Sequence, residues 1–207
     1  MTDRPTPARS RPPAVEVLLD HQFITLYQGL EPALCRAVID AFDRDERRTR
    51  GEVYRQGVVR AQAEAIKNSS DLEILDQGDW RALFQALHTP IQACIGHYLS
   101  RSPILQSFEL QATGYKIQMY ARGQGFFRWH ADSTGRGVQS RQVAMILYLN
   151  DVARGGETEF FHQGLKIAPR AGQLVLFPAG WNYMHRGQVP ESGDKYILQT
   201  FVRIKDA

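Results

Sequence analysis

The chain has 207 residues, a hydrophobic fraction of 43% and a formal net charge of +3. That is enough for one domain with a sizeable core, and so slight a positive balance gives no reason to expect nucleic acid, which calls for a clustered basic face. No apolar run is long enough to span a bilayer, so no membrane partner is expected, and Cys35 and Cys94 read as buried thiols rather than a disulfide framework.

Residues 1–13 carry Arg4, Arg9, Arg11 and four prolines with no hydrophobic segment behind them. They read as a disordered tail and not as a secretory signal, which makes a cytoplasmic protein the expectation. Residues 14–207 read as one domain, with a helical N-terminal part over 14–107 and a β core over 108–204. Ala14 to Leu26 alternates loosely and is strand-like. Glu31-Pro32 then opens a helix, because proline is tolerated at the first helical position, and Leu34, Val38, Ala41 and Phe42 recur on one face of it. The basic run from Arg44 to Arg50 is interleaved with Asp45 and Glu46 and reads as a solvated helix end. Residues 52–65 fit either a strand pair or a surface loop. Residues 79–100 carry Trp80, Leu83, Phe84, Leu87, Ile91, Cys94, Ile95 and Tyr98 at helical spacing, with Asp79 as the expected N-cap. Pro90 should kink or split that helix. His88 and His97 lie on it with no metal-binding companion at a suitable spacing.

From Phe108 onward the chain reads as short strands broken by Gly and Pro turns, at 109–121, 126–132, 141–149, 158–161, 165–167, 173–177, 182–187 and 196–204. Eight such strands suggest an α+β protein with a mainly β core: a double-stranded β-helix, or jelly-roll barrel, with the preceding helices packed on one sheet. Gly155-Gly156 and Gly172 are turn glycines without the pattern of a phosphate cradle.

His130 and Asp132 flank a single residue, so on a strand both would face one side and could share one metal ion. A catalytic metal needs a further ligand, and the Fe(II) arrangement of two histidines and one carboxylate points to His185. Alternation also places Arg128 on the face of His130, as a contact for substrate, unless a bulge intervenes. The polar loop 133–140 could be a lid or a plain connection.

His130-x-Asp132 is followed by Arg141 through Asn150 with Tyr148 near its end, by Gly155-Gly156, by Gly172 through Pro178, by His185, and by Lys195 through Val202. In that order these motifs resemble the catalytic core of the prolyl 4-hydroxylase-like family of Fe(II)/2-oxoglutarate-dependent dioxygenases, over somewhat under half of the chain. The resemblance implies Fe(II) held by His130, Asp132 and His185, with 2-oxoglutarate and O2 as cosubstrates and ascorbate as an auxiliary reductant. It implies that Lys195, ten positions after His185, and Tyr148 meet the distal carboxylate of 2-oxoglutarate, and that Tyr120 lines the same pocket. The expected reaction is hydroxylation of an unactivated C–H bond in a small molecule, an amino acid or a prolyl or peptidyl substrate, with release of succinate and CO2. The alternatives are a jelly roll that binds metal or ligand without turnover, and a metal enzyme of another class.

Overall fold

The structure, a computed structural model, describes residues 15–53 and 65–205. The expected tail over 1–13 and most of the ambiguous 52–65 stretch lie outside the described residues.

The chain begins with a hairpin of β1 (Glu16–His21) and β2 (Ile24–Gln28), followed by α1 (Pro32–Arg44). Three short strands come next, β3 (Thr49–Arg50), β4 (Lys67–Asn68) and β5 (Ser70–Ile74), and then α2 (Arg81–Ser100) and α3 (Pro103–Gln106). The rest is β: β6 (Leu110–Ala112), β7 (Tyr115–Tyr120), β8 (Phe126–His130), β9 (Arg141–Tyr148), β10 (Thr158–Phe160), β11 (Leu165–Ile167), β12 (Gln173–Pro178), β13 (His185–Gly187) and β14 (Lys195–Ile204). One antiparallel sheet runs β1-β2-β12-β9-β14-β7-β5-β3, with β6 also paired to β14, and a second runs β11-β10-β13-β8-β4.

The central strands of the large sheet are apolar on both faces, as strands covered on both sides must be. On β9, Val143, Met145 and Leu147 join an outer core with the helices, while Ala144, Ile146 and Tyr148 face the space between the two sheets. On β14, Leu198 and Val202 point outward, and Ile197 and Phe201 point inward. The helices therefore cover the outer face of the large sheet. Cys35, Val38 and Phe42 bury the stripe of α1, and Leu87, Ile91, Cys94, Ile95 and Tyr98 that of α2. Both helical histidines serve this layer: His88 Nδ1 meets the Tyr115 hydroxyl at 3.0 Å and His97 Nδ1 that of Tyr27 at 3.0 Å.

Several sequence expectations are corrected. The part before residue 108 is less helical than its pattern suggests, for it supplies β1 to β5 to the two sheets. α2 is not split at Pro90 but runs through it. A mid-helix proline costs about 3 kcal/mol, and α2 buries apolar side chains on both sides of it, enough to keep the two halves in one continuous helix. Asp79 does not cap α2: a 3-10 turn over Gly78–Trp80 precedes the helix, and the Trp80 indole N–H donates to Asp45 Oδ2 at 2.8 Å. Among the described residues, no helix is long and apolar enough to cross a membrane.

Phe42 is fully buried and lies edge-on to Tyr196 of β14, with ring centroids 5.9 Å apart. Phe42→Ala should lower the free energy of unfolding by about 3–5 kcal/mol, read by urea denaturation, because the rigid sheet beneath cannot collapse into the void.

Candidate metal centre

β13 pairs with β8 so that His185 stands directly opposite His130, and the two imidazole centroids are 4.2 Å apart. The next pair is Gly187 with Phe127, so β8 holds one residue more than β13 over the same span. This bulge decides which side chains face the centre. Phe127, not Arg128, lies beside His130, with ring centroids 3.5 Å apart and planes at 14°. Arg128 is exposed, its Nε donates to the Ala65 carbonyl at 3.0 Å, and its guanidinium lies over Phe126. The placement of Arg128 expected from strict alternation is thus corrected.

Asp132 lies just past the end of β8, so the turn and not the strand aims its carboxylate. That turn is fixed by the Ser133 amide, which donates to the Ala179 carbonyl at 3.1 Å, and by Arg141 Nη1, which donates to the Asp132 carbonyl at 3.2 Å. Asp132 Oδ1 is 3.6 Å from His130 Nε2, and Asp132 Oδ2 is 3.6 Å from His185 Nε2. Ligand atoms of all three residues lie within 4.8 Å of one another.

The protonation pattern suits a cation. His130 Nδ1 lies 2.8 Å from the Arg128 carbonyl and His185 Nδ1 3.0 Å from the Tyr183 carbonyl. A carbonyl only accepts, so each Nδ1 carries the proton and each Nε2 turns a lone pair toward Asp132. Burial, helped by His185 nearby, holds His130 far below the usual histidine range and keeps it neutral. Burial also pushes the Asp132 carboxyl up, against the pull of His185, Arg141 and Lys67. His130 Nε2 and Asp132 Oδ2 are buried and make no hydrogen bond. Unmatched acceptors of this kind are costly in a protein interior and are what a divalent cation satisfies. Two imidazole nitrogens and one carboxylate are the donor set of non-haem Fe(II).

Lys195 opens β14 on its inward face and is buried. Its Nζ donates to the Gly156 carbonyl at 2.7 Å and lies 5.4 Å from the ring centroid of Tyr120 and 5.8 Å from that of Tyr148. Gly155 and Gly156 both adopt positive φ, which only glycine does freely, and form the turn that presents this carbonyl. Burial lowers the Lys195 ammonium to about 8, with the charge of Glu157 opposing. No carboxylate among the described residues forms an ion pair with it. Tyr148 donates to Thr158 Oγ1 at 2.8 Å, and Tyr120 donates to Gln118 Oε1 at 3.1 Å.

A cavity of about 500 Å³ opens onto His130 and Asp132, walled in part by Phe127, Trp129, Arg141 and Phe201. The 133–140 loop contributes Thr134, Gly135 and Val138 to its wall. One side of this cavity was not foreseen from sequence. Lys67 Nζ donates to Asp71 Oδ2 at 2.6 Å, and Ser69 Oγ donates to Asp71 Oδ1 at 2.7 Å, all of them buried. The available signal was the alternation of Asp71-Leu72-Glu73-Ile74, which places Leu72 and Ile74 in the outer core and Asp71 opposite.

Residues 115–203 match the family model described as the 2OG-Fe(II) oxygenase superfamily. No curated protein matches the chain by sequence. Among solved structures, the chain is similar to the viral collagen prolyl hydroxylase of Paramecium bursaria Chlorella virus-1 in its 2-oxoglutarate complex, with a TM-score of 0.65 and 18% identity over 89% of this chain and 97% of that one. It is also similar to a Pseudomonas putida prolyl-4-hydroxylase (TM-score 0.63, 20% identity, 88% of this chain and 92% of that one). A third is a Trichoplax adhaerens prolyl hydroxylase in complex with a hypoxia inducible factor peptide fragment (TM-score 0.70, 16% identity, 87% and 83%). At these identities the structures attest the shared jelly-roll fold.

Asp132→Ala removes the one carboxylate of the donor set. Its affinity for Mn(II), used as a redox-inert probe and titrated calorimetrically, should fall by more than about tenfold, with the thermal unfolding of the apoprotein preserved.

Proposed function

We propose that this 2-oxoglutarate-dependent dioxygenase, a prolyl 4-hydroxylase-like member of the 2OG-Fe(II) oxygenase superfamily, hydroxylates a prolyl residue in a short peptide. The observation that carries the reading is the convergence of His130, Asp132 and His185 with acceptors left unmatched in the protein interior. Fe(II) held by these three residues supplies a template and electrons for O2-dependent decarboxylation of 2-oxoglutarate to succinate and CO2, coupled to hydroxylation of substrate.

The side chains do the rest. The carbonyls of Arg128 and Tyr183 hold the two imidazoles in the tautomer that leaves each Nε2 free to bind. Lys195 pairs with the distal carboxylate of 2-oxoglutarate, which must be matched once it leaves water. Its ammonium is desolvated and bonded only to a neutral carbonyl, so it retains donors for an anion. Tyr148 and Tyr120 form the walls of that pocket. The cavity beside His130 and Asp132 receives the substrate, and the rings of Phe127 and Phe201 exclude water from it. The prolyl assignment is supported by the relatives: one is a collagen prolyl hydroxylase, and another is in complex with a peptide.

The assay is incubation with Fe(II), 2-oxoglutarate, ascorbate and a panel of proline-containing peptides, with free proline alongside. Succinate and a peptide heavier by one oxygen atom are expected, and oxygen gain on free proline alone would reject the peptide assignment. The pH dependence follows from Lys195. Its ammonium is present below about 8 and is lost as pH rises through that value, so affinity for 2-oxoglutarate should weaken on the alkaline side. Lys195→Arg, always charged, should abolish that alkaline limb, and Lys195→Ala should raise the dissociation constant by about 10- to 100-fold.

A further inference from the structure

The inner wall of the barrel carries a hydrogen-bonded line of side chains that neither metal binding nor hydroxylation requires. It crosses three neighbouring elements: Lys67 on β4, Asp71 on β5, and Gln118 and Tyr120 on β7. Asp71 takes Lys67 Nζ at 2.6 Å, Ser69 Oγ at 2.7 Å and Gln118 Nε2 at 3.2 Å. A carboxylate can only accept, so the Gln118 amide must turn its Nε2 toward Asp71. Its Oε1 is thereby aimed at the Tyr120 hydroxyl, 3.1 Å away, which has to donate to it. The orientation of the amide follows from this chemistry and not from a choice between two fits.

The line is sealed. Lys67, Asp71, Gln118 and Tyr120 are each less than a tenth exposed. Gly51 closes over it from outside, where a Cβ would fall 2.1 Å from Ser69 Oγ and 3.1 Å from Asp71 Oδ1. A buried ion pair is a poor device for stability, since apolar residues of equal volume do as well or better. What this one does achieve is to immobilise Gln118, and through it Tyr120, whose ring faces Lys195 Nζ at 5.4 Å.

We propose that Lys67, Asp71 and Gln118 are positioning residues for 2-oxoglutarate: they commit the Tyr120 hydroxyl to the wall, so that Tyr120 serves the cosubstrate pocket by its fixed ring beneath Lys195 and not by donating its own proton. This rests on the reading that Lys195 and Tyr120 line that pocket. Tyr148 differs, because its partner Thr158 is a hydroxyl that can donate as well as accept and leaves the Tyr148 proton free to turn toward a ligand.

The test is calorimetric titration of 2-oxoglutarate into the full chain loaded with Mn(II), for wild type, Gln118→Leu, Tyr120→Phe and the double variant. Each single change should raise the dissociation constant by about threefold to tenfold, the range one lost hydrogen bond supports. The double variant should be no worse than the weaker single one, since both break the same link. Unchanged 2-oxoglutarate affinity in the single variants overturns the proposal, even if their melting temperature falls, because that is the mark of a merely structural bond. Losses that multiply in the double variant overturn it as well. Should Gln118→Leu not fold, Gln118→Met, closer in shape to glutamine, takes its place, because Tyr120→Phe alone would also lose affinity if the Tyr120 hydroxyl donated to 2-oxoglutarate directly. Failure of the wild-type titration would instead reject the cosubstrate pocket itself, and this inference with it.

Discussion

Everything in the site depends on the register between β8 and β13. It sets His130 opposite His185, and each imidazole is then turned by a carbonyl two residues before it in its own chain, that of Arg128 and that of Tyr183. Two lone pairs and a carboxylate are left facing one another at 3.6 Å in the protein interior. Such a cluster is electrostatically unfavourable by itself, as the rise of Asp132 and the fall of His130 both express. A slip of one residue in either strand would send one imidazole to the opposite face. The register of the sheet therefore also sets which donor atoms meet at the candidate metal centre.

Stability and chemistry are divided between the two faces of the large sheet. The outer face meets α1 and α2 through a continuous apolar layer, and most of the large aliphatic burial is there. The inner face is relieved of that task and can hold polar groups. Lys195 shares the inward side of β14 with Ile197 and Phe201, and Gln118 shares that of β7 with Tyr120. Polar groups in a barrel interior demand partners, and here they find them within two or three strands.

The two buried lysines show what burial does to an ammonium under different circumstances. Lys67 has a carboxylate at 2.6 Å, and the pair is closed to the outside by the backbone at Gly51. Lys195 has only the Gly156 carbonyl and two aromatic faces, and its ammonium is lowered to about 8. The first is a completed ion pair and behaves as a fixed part of the wall. The second has no carboxylate partner among the described residues, and that is the feature on which its proposed role toward the distal carboxylate of 2-oxoglutarate rests.

The amino-acid sequence by itself determined the order of chemistry-bearing residues and the stripes of α1 and α2, while the inward placement of Lys195 came from the structure, where β14 begins at that residue. The order and the stripes are local features: they rest on periodicity, on proline and glycine chemistry, and on the spacing of His130, Asp132, His185 and Lys195. Only the tertiary structure decided that Phe127 and not Arg128 stands beside His130, because a bulge exists only relative to a partner strand, and β13 is more than fifty residues away in the chain. Only packing decided that α2 continues through Pro90, since contacts on both sides outweigh the local cost. Lys67 and Asp71 look in sequence like any solvated pair four residues apart. The alternation at residues 71–74 signals which face Asp71 takes, but the burial of that face comes from β7 and Gly51 closing over the pair, which only the tertiary structure decides.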